Sequence, residues 1–197
     1  LLVYLVDVSG HGLDGALLSL FVREWVLGYL DRQGPEDRPL EPEALVRHVA
    51  DQFARESLPE EYFLCLQVLV ADLSRGVVRL ANAGSHVRPL LGCPGKGARY
   101  LDCVGTPVAG FLGPGALDLQ ALRLAFRPGE RLLLSTDGLV EERVEGRFYG
   151  AERLRRRFEE GAFLSAADSL EGILRDFETF AGRRRGRDDV TLLCLKR

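Results

Sequence analysis

The sequence predicts an α+β fold. Apolar residues recur at three- and four-residue spacing only in two blocks, near residues 13–53 and 151–180, whereas short β-rich runs bounded by turn residues fill the remainder. The resulting order is strand, helix pair, several antiparallel strands, helix pair, strand. This is the pattern of helices layered on antiparallel sheet.

Taken in order, LLVYLVD (residues 1–7) is a β-rich run ending in an acid, the signature of a buried strand that delivers a residue to its carboxyl end. Leu13, Ala16, Leu17, Leu20 and Phe21 then fall at helical spacing, and the apolar character widens through Trp25 and Val26 to about Leu30, predicting a well-buried helix. DRQGPEDRP breaks it, and Pro42 suits the first turn of a second helix with Leu45, Val49 and Phe53 on one side. From Tyr62 the period changes: YFLCLQVLVADLSRGVVRLANAG predicts two strands joined at Asp72 to Gly76. VRPLLG and ARYLD read as short strands around a glycine-rich turn, and Gly105 to Gly115 as a loop. Residues 117–126 and 131–136 are expected to pair as a hairpin across RPGE. A charged helix from about Ala151, another from about Ser165 to Phe180, the run GRRRGR and a last strand, VTLLCLKR, complete the chain.

Composition narrows the function. The 197 residues are 46% hydrophobic and 28% charged, enough for one full core, so a single domain over 1–197 is expected. A net charge of -3 gives no global attraction to nucleic acid or to an anionic membrane. Cys65, Cys93, Cys103 and Cys194 form no CxxC pair and are not interleaved with His11, His48 and His86 at zinc spacing, which favours reduced thiols and a cytoplasmic setting. No apolar run approaches the roughly 20 residues of a membrane span. The chain opens on Leu1 inside a strand and contains no methionine, so it is expected to be N-terminally truncated.

Three places share one design: Asp7 after LLVYLV, Asp137 after RLLLST, and Asp188 with Asp189 before VTLLCL. Read singly, an acid beside glycine at a strand end is an ordinary turn. Gathered together, carboxylates about 4 Å apart repel by about 4 kcal/mol per pair at an effective dielectric near 20, and such a cluster calls for a cation. Oxygen ligands suit magnesium or manganese, and the scattered cysteines and histidines argue against zinc.

DVSGHG before a helix, then ANAG, GTP, LLLSTDGLVE, FYGAERL and DDVTLL, in that order over nearly the whole chain, resemble the SpoIIE/RsbU-type bacterial branch of the PPM metal-dependent serine/threonine phosphatases. The resemblance implies an α-β-β-α sandwich of antiparallel sheets flanked by helix pairs, and two Mn²⁺ or Mg²⁺ ions that activate water against phosphoserine or phosphothreonine. It implies that Asp7 bridges both ions, that the Val8 carbonyl ligates the first, and that Asp137 and Asp188 complete the second. Asp189, Ser9, Gly10, His11 and Gly138 would stand around those ligands. It also implies an upstream strand with a further acidic ligand, so that the second-metal site is the better preserved in this chain. The implied partners are a phosphorylated STAS-domain anti-anti-sigma factor as substrate and an upstream sensor domain.

Other readings stay open on the residues. Ser9, Gly10 and Gly12 let the backbone approach a metal or phosphate. His11 suits a structural hydrogen bond at the helix start as well as a proton shuttle. Asn82 and Gly84 are expected to shape a turn, and His86, in ANAGSHVRP where the family reads ANAGH, has no assigned role. Arg183, Arg184, Arg185 and Arg187 suit a solvated loop or a phosphoprotein contact. A non-catalytic phosphoprotein-binding module on the same fold, and a hydrolase of small phosphoesters, are the competing functions.

Overall fold

The frame of the first half is the hairpin of β2 (Phe63–Asp72) and β3 (Val77–Ala83), whose turn is locked by Asp72: its Oδ1 accepts from Ser74 Oγ at 2.6 Å and from Arg75 N at 2.9 Å. Gly76 closes that turn at φ 64°, a left-handed conformation that a side chain disfavours. The computed structural model describes residues 1–10, 12–33, 39–56, 58–110, 117–182 and 188–197. Within them the chain forms two compact units, Leu1–Ser85 with Cys103–Ala125, and His86–Asp102 with Phe126–Arg197.

In unit 1, β1 (Leu2–Val8) pairs antiparallel with β2, in a register that sets Asp7 opposite Cys65 and Val8 opposite Leu64. The sheet runs β1-β2-β3-β7, with β7 at Ala121–Ala125 and the short β6 (Val108–Ala109) also on β2. Helices α1 (Leu13–Arg32) and α2 (Pro42–Arg55) pack on it. The core joins Leu18, Val22, Trp25 and Val26 of α1, Leu45, Val46, Val49 and Phe53 of α2, and Leu64, Leu66 and Val68 of β2.

Unit 2 repeats the plan. Its sheet runs β11-β8-β4-β5, with β4 at Leu90–Cys93, β5 at Gly97–Tyr100, β8 at Arg131–Ser135 and β11 at Leu192–Lys196, all antiparallel. Helices α3 (Ala151–Glu160) and α4 (Ala166–Ala181) pack against β5 and β11. Ser165 caps α4 by accepting from Asp168 N at 3.1 Å. Leu154, Phe158, Ile173 and Phe177 close a separate core with Leu90, Leu133 and Leu139. A small ribbon of β9 (Arg143–Val144) and β10 (Arg147–Phe148) follows β8.

The α+β class, the antiparallel sheets and the two helix pairs are as the sequence predicts; three expectations are corrected. Residues 117–126 and 131–136 do not form a hairpin: β7 pairs with β3, and β8 with β4 and β11. The turn RPGE is present, with Glu130 N bonded to Arg127 O at 3.0 Å, but it joins strands of two different sheets. β1 is half-exposed along its whole length because it is the edge strand of its sheet and pairs only with β2 among the described residues. α1 is not uniformly buried; Leu18, Val22, Trp25 and Val26 face the core while Leu13, Leu17, Leu20, Phe21 and Leu27 are exposed. An apolar helix buries only the stripe its neighbours reach.

Candidate active site

The acids after β8 and before β11 are brought together by strand pairing. Thr136 extends the β8–β11 ladder by one step: its N donates to Thr191 O at 3.1 Å, its Oγ1 accepts from Thr191 N at 2.9 Å and donates to Asp189 O at 3.0 Å. Asp137 and the Asp188–Asp189 pair are thereby held on neighbouring chain segments. Gly138 lets them approach, since a Cβ there would stand 2.4 Å from the Asp189 carbonyl oxygen and 3.2 Å from Asp188 Cβ. Asp188 Oδ1 accepts from Asp189 N at 2.8 Å, which ties the Asp188 carboxylate to the next residue's backbone.

Asp137 then begins a helical turn, with Glu141 N bonded to Asp137 O at 2.8 Å. That spacing sets Glu141 on the same side as Asp137. His86 meets both: its Nε2 is 3.0 Å from Glu141 Oε1 and its Nδ1 is 3.9 Å from Asp137 Oδ2. The Oδ1 atom of Asp137 is buried and has no hydrogen-bond partner among the described residues. A buried carboxylate oxygen left unpaired costs about 1–3 kcal/mol or more. One cation on that oxygen would relieve the cost, and the oxygen donors of Asp137 and Asp188 are those that Mn²⁺ and Mg²⁺ take. The donor set fits such an ion.

The DVSGHG turn lies in unit 1. Ser9 ties it to β2: Ser9 N donates to Phe63 O at 2.9 Å, Phe63 N donates to Ser9 Oγ at 2.8 Å, and that hydroxyl donates to Glu61 O at 3.3 Å. Gly10 and Gly12 hold φ of 92° and 72°, and Gly12 caps α1. Tyr62 Oη donates to Asp14 Oδ2 at 3.1 Å, fixing the first turn of α1 to the start of β2. His11 lies outside the described residues, as do Arg183, Arg184, Arg185 and Arg187.

Asn82 and Gly84 shape a turn, as expected. The buried Asn82 amide donates to Ser85 O and Cys103 O, both at 2.7 Å, and its Oδ1 accepts from Ser85 N at 3.1 Å. A Cβ on Gly84 would meet Pro107 Cα at 2.5 Å. Sequence reasoning missed Thr136 and Glu141. The i,i+4 step from Asp137 was the signal for Glu141; a threonine inside STDG offered none.

The profile of the Stage II sporulation protein E (SpoIIE) family matches residues 1–197. No curated protein matches the chain in sequence. Among solved structures the SiaA-PP2C domain of Pseudomonas aeruginosa is similar at TM-score 0.81 and 20% identity, over 99% of this chain and 75% of that one. The RsbU and RsbW domains of a Mycobacterium tuberculosis protein are similar at 0.70 and 21%, over 98% and 50%. The catalytic domain of the serine/threonine phosphatase PstP, in complex with two manganese ions, is similar at 0.64 and 20%, over 98% and 86%. Those likenesses concern the fold, and among the described residues no helix is long and apolar enough to cross a membrane. With the family profile matched from end to end, the chain belongs to the Stage II sporulation protein E (SpoIIE) family.

Proposed function

We propose that residues 1–197 act as one metal-dependent phosphatase domain that hydrolyses phosphoserine or phosphothreonine in a signalling protein, a phosphorylated STAS-domain anti-anti-sigma factor being the substrate class. The observation that carries the reading is the buried Asp137 Oδ1, without a hydrogen-bond partner among the described residues, beside the Asp188–Asp189 turn. A chain that uses these acids only as a turn has no reason to leave that oxygen unsatisfied. The RsbU and RsbW domains in a similar structure support the regulatory setting, and the manganese ions of the PstP complex support the choice of cation.

In this reading Asp137 and Asp188 are the metal ligands of unit 2, and Asp7 with the Val8 carbonyl those of unit 1, the latter two assigned from the DVSGHG motif. When bound, two such ions supply a hydroxide-like water near neutral pH and offset charge on the phosphoryl group. The chain's own residues do the positioning. Thr136 and Gly138 fix the spacing of Asp137 against Asp188, and the bond from Asp189 N orders the Asp188 carboxylate before a substrate arrives. Ser9, anchored to Phe63, holds the backbone of the DVSGHG turn.

The test is hydrolysis of p-nitrophenyl phosphate and of a serine-phosphorylated STAS protein, with Mn²⁺ and after exhaustive chelation. Mn²⁺-dependent release of phosphate from both is expected. Turnover that survives chelation would sink the metal mechanism, and turnover of the small ester without the phosphoprotein would sink the substrate class.

A further inference from the structure

We propose that unit 1 holds a separate ligand site, a cavity at the far end of β1 from Asp7, which takes a small organic phosphate of nucleotide type through Arg79 and Arg123. The site stands apart from the metal chemistry proposed above and does not depend on it.

The strand register builds the cavity. Val70 of β2, Arg79 of β3 and Arg123 of β7 stand opposite one another across three neighbouring strands. Side chains alternate along a strand, so all three share the sheet face on which Val68 and Ala81 enter the core beneath the helices. α2 begins only at Pro42, and before its start that face is open as a cavity of about 410 Å³. Leu40, Val70 and Val77 give it apolar walls, and the charged residues that line it are Arg75, Arg79, Arg123 and Asp72. Leu2 pairs with Val70, which marks the cavity's end of β1. About 17 Å of strand separates that end from Asp7.

Charge points to the ligand. Arg79 and Arg123 are direct cross-strand partners, and like charges so placed repel. One acid answers them: Arg79 Nη1 donates to Glu41 Oε1 at 2.9 Å, and also to Leu40 O at 3.3 Å. Both bonds use the same nitrogen. Nε and Nη2 of Arg79, and the whole Arg123 guanidinium, have no partner among the described residues. Asp72 does not supply one, because its Oδ1 is taken by Ser74 Oγ and Arg75 N in the turn and its Oδ2 faces Arg75 at 3.6 Å. The cavity floor therefore offers two guanidinium groups with unused donors. A phosphomonoester, with three terminal oxygens and up to two charges, satisfies two such forks; a carboxylate, with two oxygens and one charge, satisfies one. The volume lies in the range of small-molecule sites, and the apolar walls suit a flat body attached to the phosphate.

Binding is measured on the whole chain in excess EDTA, so that Asp7, Asp137 and Asp188 carry no ion and repel phosphate. Calorimetric titration with AMP is compared with titrations of adenosine, ribose 5-phosphate and inorganic phosphate. AMP should bind saturably, adenosine should not, and the two phosphates lacking a base should bind at least about tenfold more weakly. Arg123→Gln and Arg79→Gln should each weaken AMP binding about tenfold or more, and Arg123→Lys less, since it keeps the charge and loses the fork. Arg99→Gln, on β5 of unit 2, should leave binding unchanged. Thermal melting establishes folding, and Arg123 is exposed, so its replacement does not open the core. No saturable binding below about 1 mM AMP would overturn the proposal. So would adenosine binding as tightly as AMP, inorganic phosphate binding as tightly as AMP, or undiminished AMP binding in folded Arg123→Gln. Failure of the phosphatase reading shows elsewhere, as absent Mn²⁺-dependent turnover with AMP binding in EDTA intact.

Discussion

Unit 2 contains two aspartates at the margin of one core, and they are treated in opposite ways. Asp176 on α4 is 8% exposed and fully answered: Arg153 donates to both oxygens at 2.7 and 2.9 Å, Arg157 donates at 2.6 Å and Tyr149 Oη at 2.9 Å. Asp137 is more open, yet its buried oxygen has no partner among the described residues. The bidentate Arg153, with Arg157 and Tyr149 beside it, holds the Asp176 carboxyl well below the usual carboxylate range. On the proposed function, the contrast separates an acid that serves the fold from one that serves a ligand. A structural acid is surrounded by donors of its own chain, and a site acid is left short of them.

The largest expected effect lies on the unsatisfied side. Asp137→Asn is nearly isosteric and should lower phosphatase turnover by about a hundredfold or more, roughly 2.7 kcal/mol of transition-state stabilisation. The melting temperature should hold or rise, because one repulsive carboxylate has gone. Rates at saturating and at limiting Mn²⁺, with melting curves, check both parts; unchanged turnover would remove Asp137 from the site.

The reverse outcome is expected at Asp176. Asp176→Ala strands two guanidinium groups beside α3 and α4 and should cost about 2–3 kcal/mol of unfolding free energy, less than a fully buried pair because Arg153 and Arg157 are partly solvated. The pH dependence has a definite sign. A depressed carboxyl stabilises the fold above its unfolded pKa, near 3.8, and the contribution is lost as pH falls below that value toward the folded one. Denaturant titrations should therefore show wild type losing stability below about pH 4 along a limb that is shallower in Asp176→Ala. Identical acid limbs would show that the arginines do not hold this carboxyl.

Gly138 tests the approach that the site requires. Gly138→Ala forces apart the Asp137 and Asp188 segments, because its Cβ would stand 2.4 Å from backbone oxygen that belongs to the other segment. Overpacking of this kind costs about 1–3 kcal/mol, and turnover should fall further than stability does. A variant that loses stability without losing turnover would show that the spacing of the two segments is not critical.

How much of this was legible beforehand follows the range of each interaction. The helix pairs and the β2–β3 hairpin were readable because their signals are local: periodicity, Pro42, the Asp72 to Gly76 turn. The partners of β7 and β8 were not, since RPGE specifies a turn and says nothing about which sheet each arm joins. The acids of the site stood out by type and position, and their motif order named the family. Glu141 and Thr136 did not stand out; each acquires its role from a contact with a segment some fifty residues away, Thr136 with Asp189 and Glu141 with His86. The Asp176 cluster was equally invisible, because its two arginines and its tyrosine look like solvated helix face and motif filler until α3 and α4 pack.

The smallest effect sharpens the satisfied side of the comparison. Tyr149 is buried, and burial first, then the Asp176 carboxylate it donates to, pushes its phenol above the ordinary tyrosine range. Tyr149→Phe removes that one hydrogen bond but keeps the ring, which meets Phe177 and Phe180 edge-on at 5.6 Å and lies under Arg153 at 5.0 Å. Oδ2 of Asp176 still accepts from Arg153 Nε at 2.7 Å, so no buried charge is abandoned. The cost should be about 1 kcal/mol. Its pH dependence runs opposite to that of Asp176: a raised phenol contributes fully below the unfolded value near 10 and loses its contribution as pH climbs toward the folded one. Wild type should accordingly keep a constant advantage over Tyr149→Phe through neutral pH, and that advantage should shrink above about pH 10. A loss of several kcal/mol at neutral pH would mean that the phenol, and not the arginines, is what makes Asp176 a structural acid.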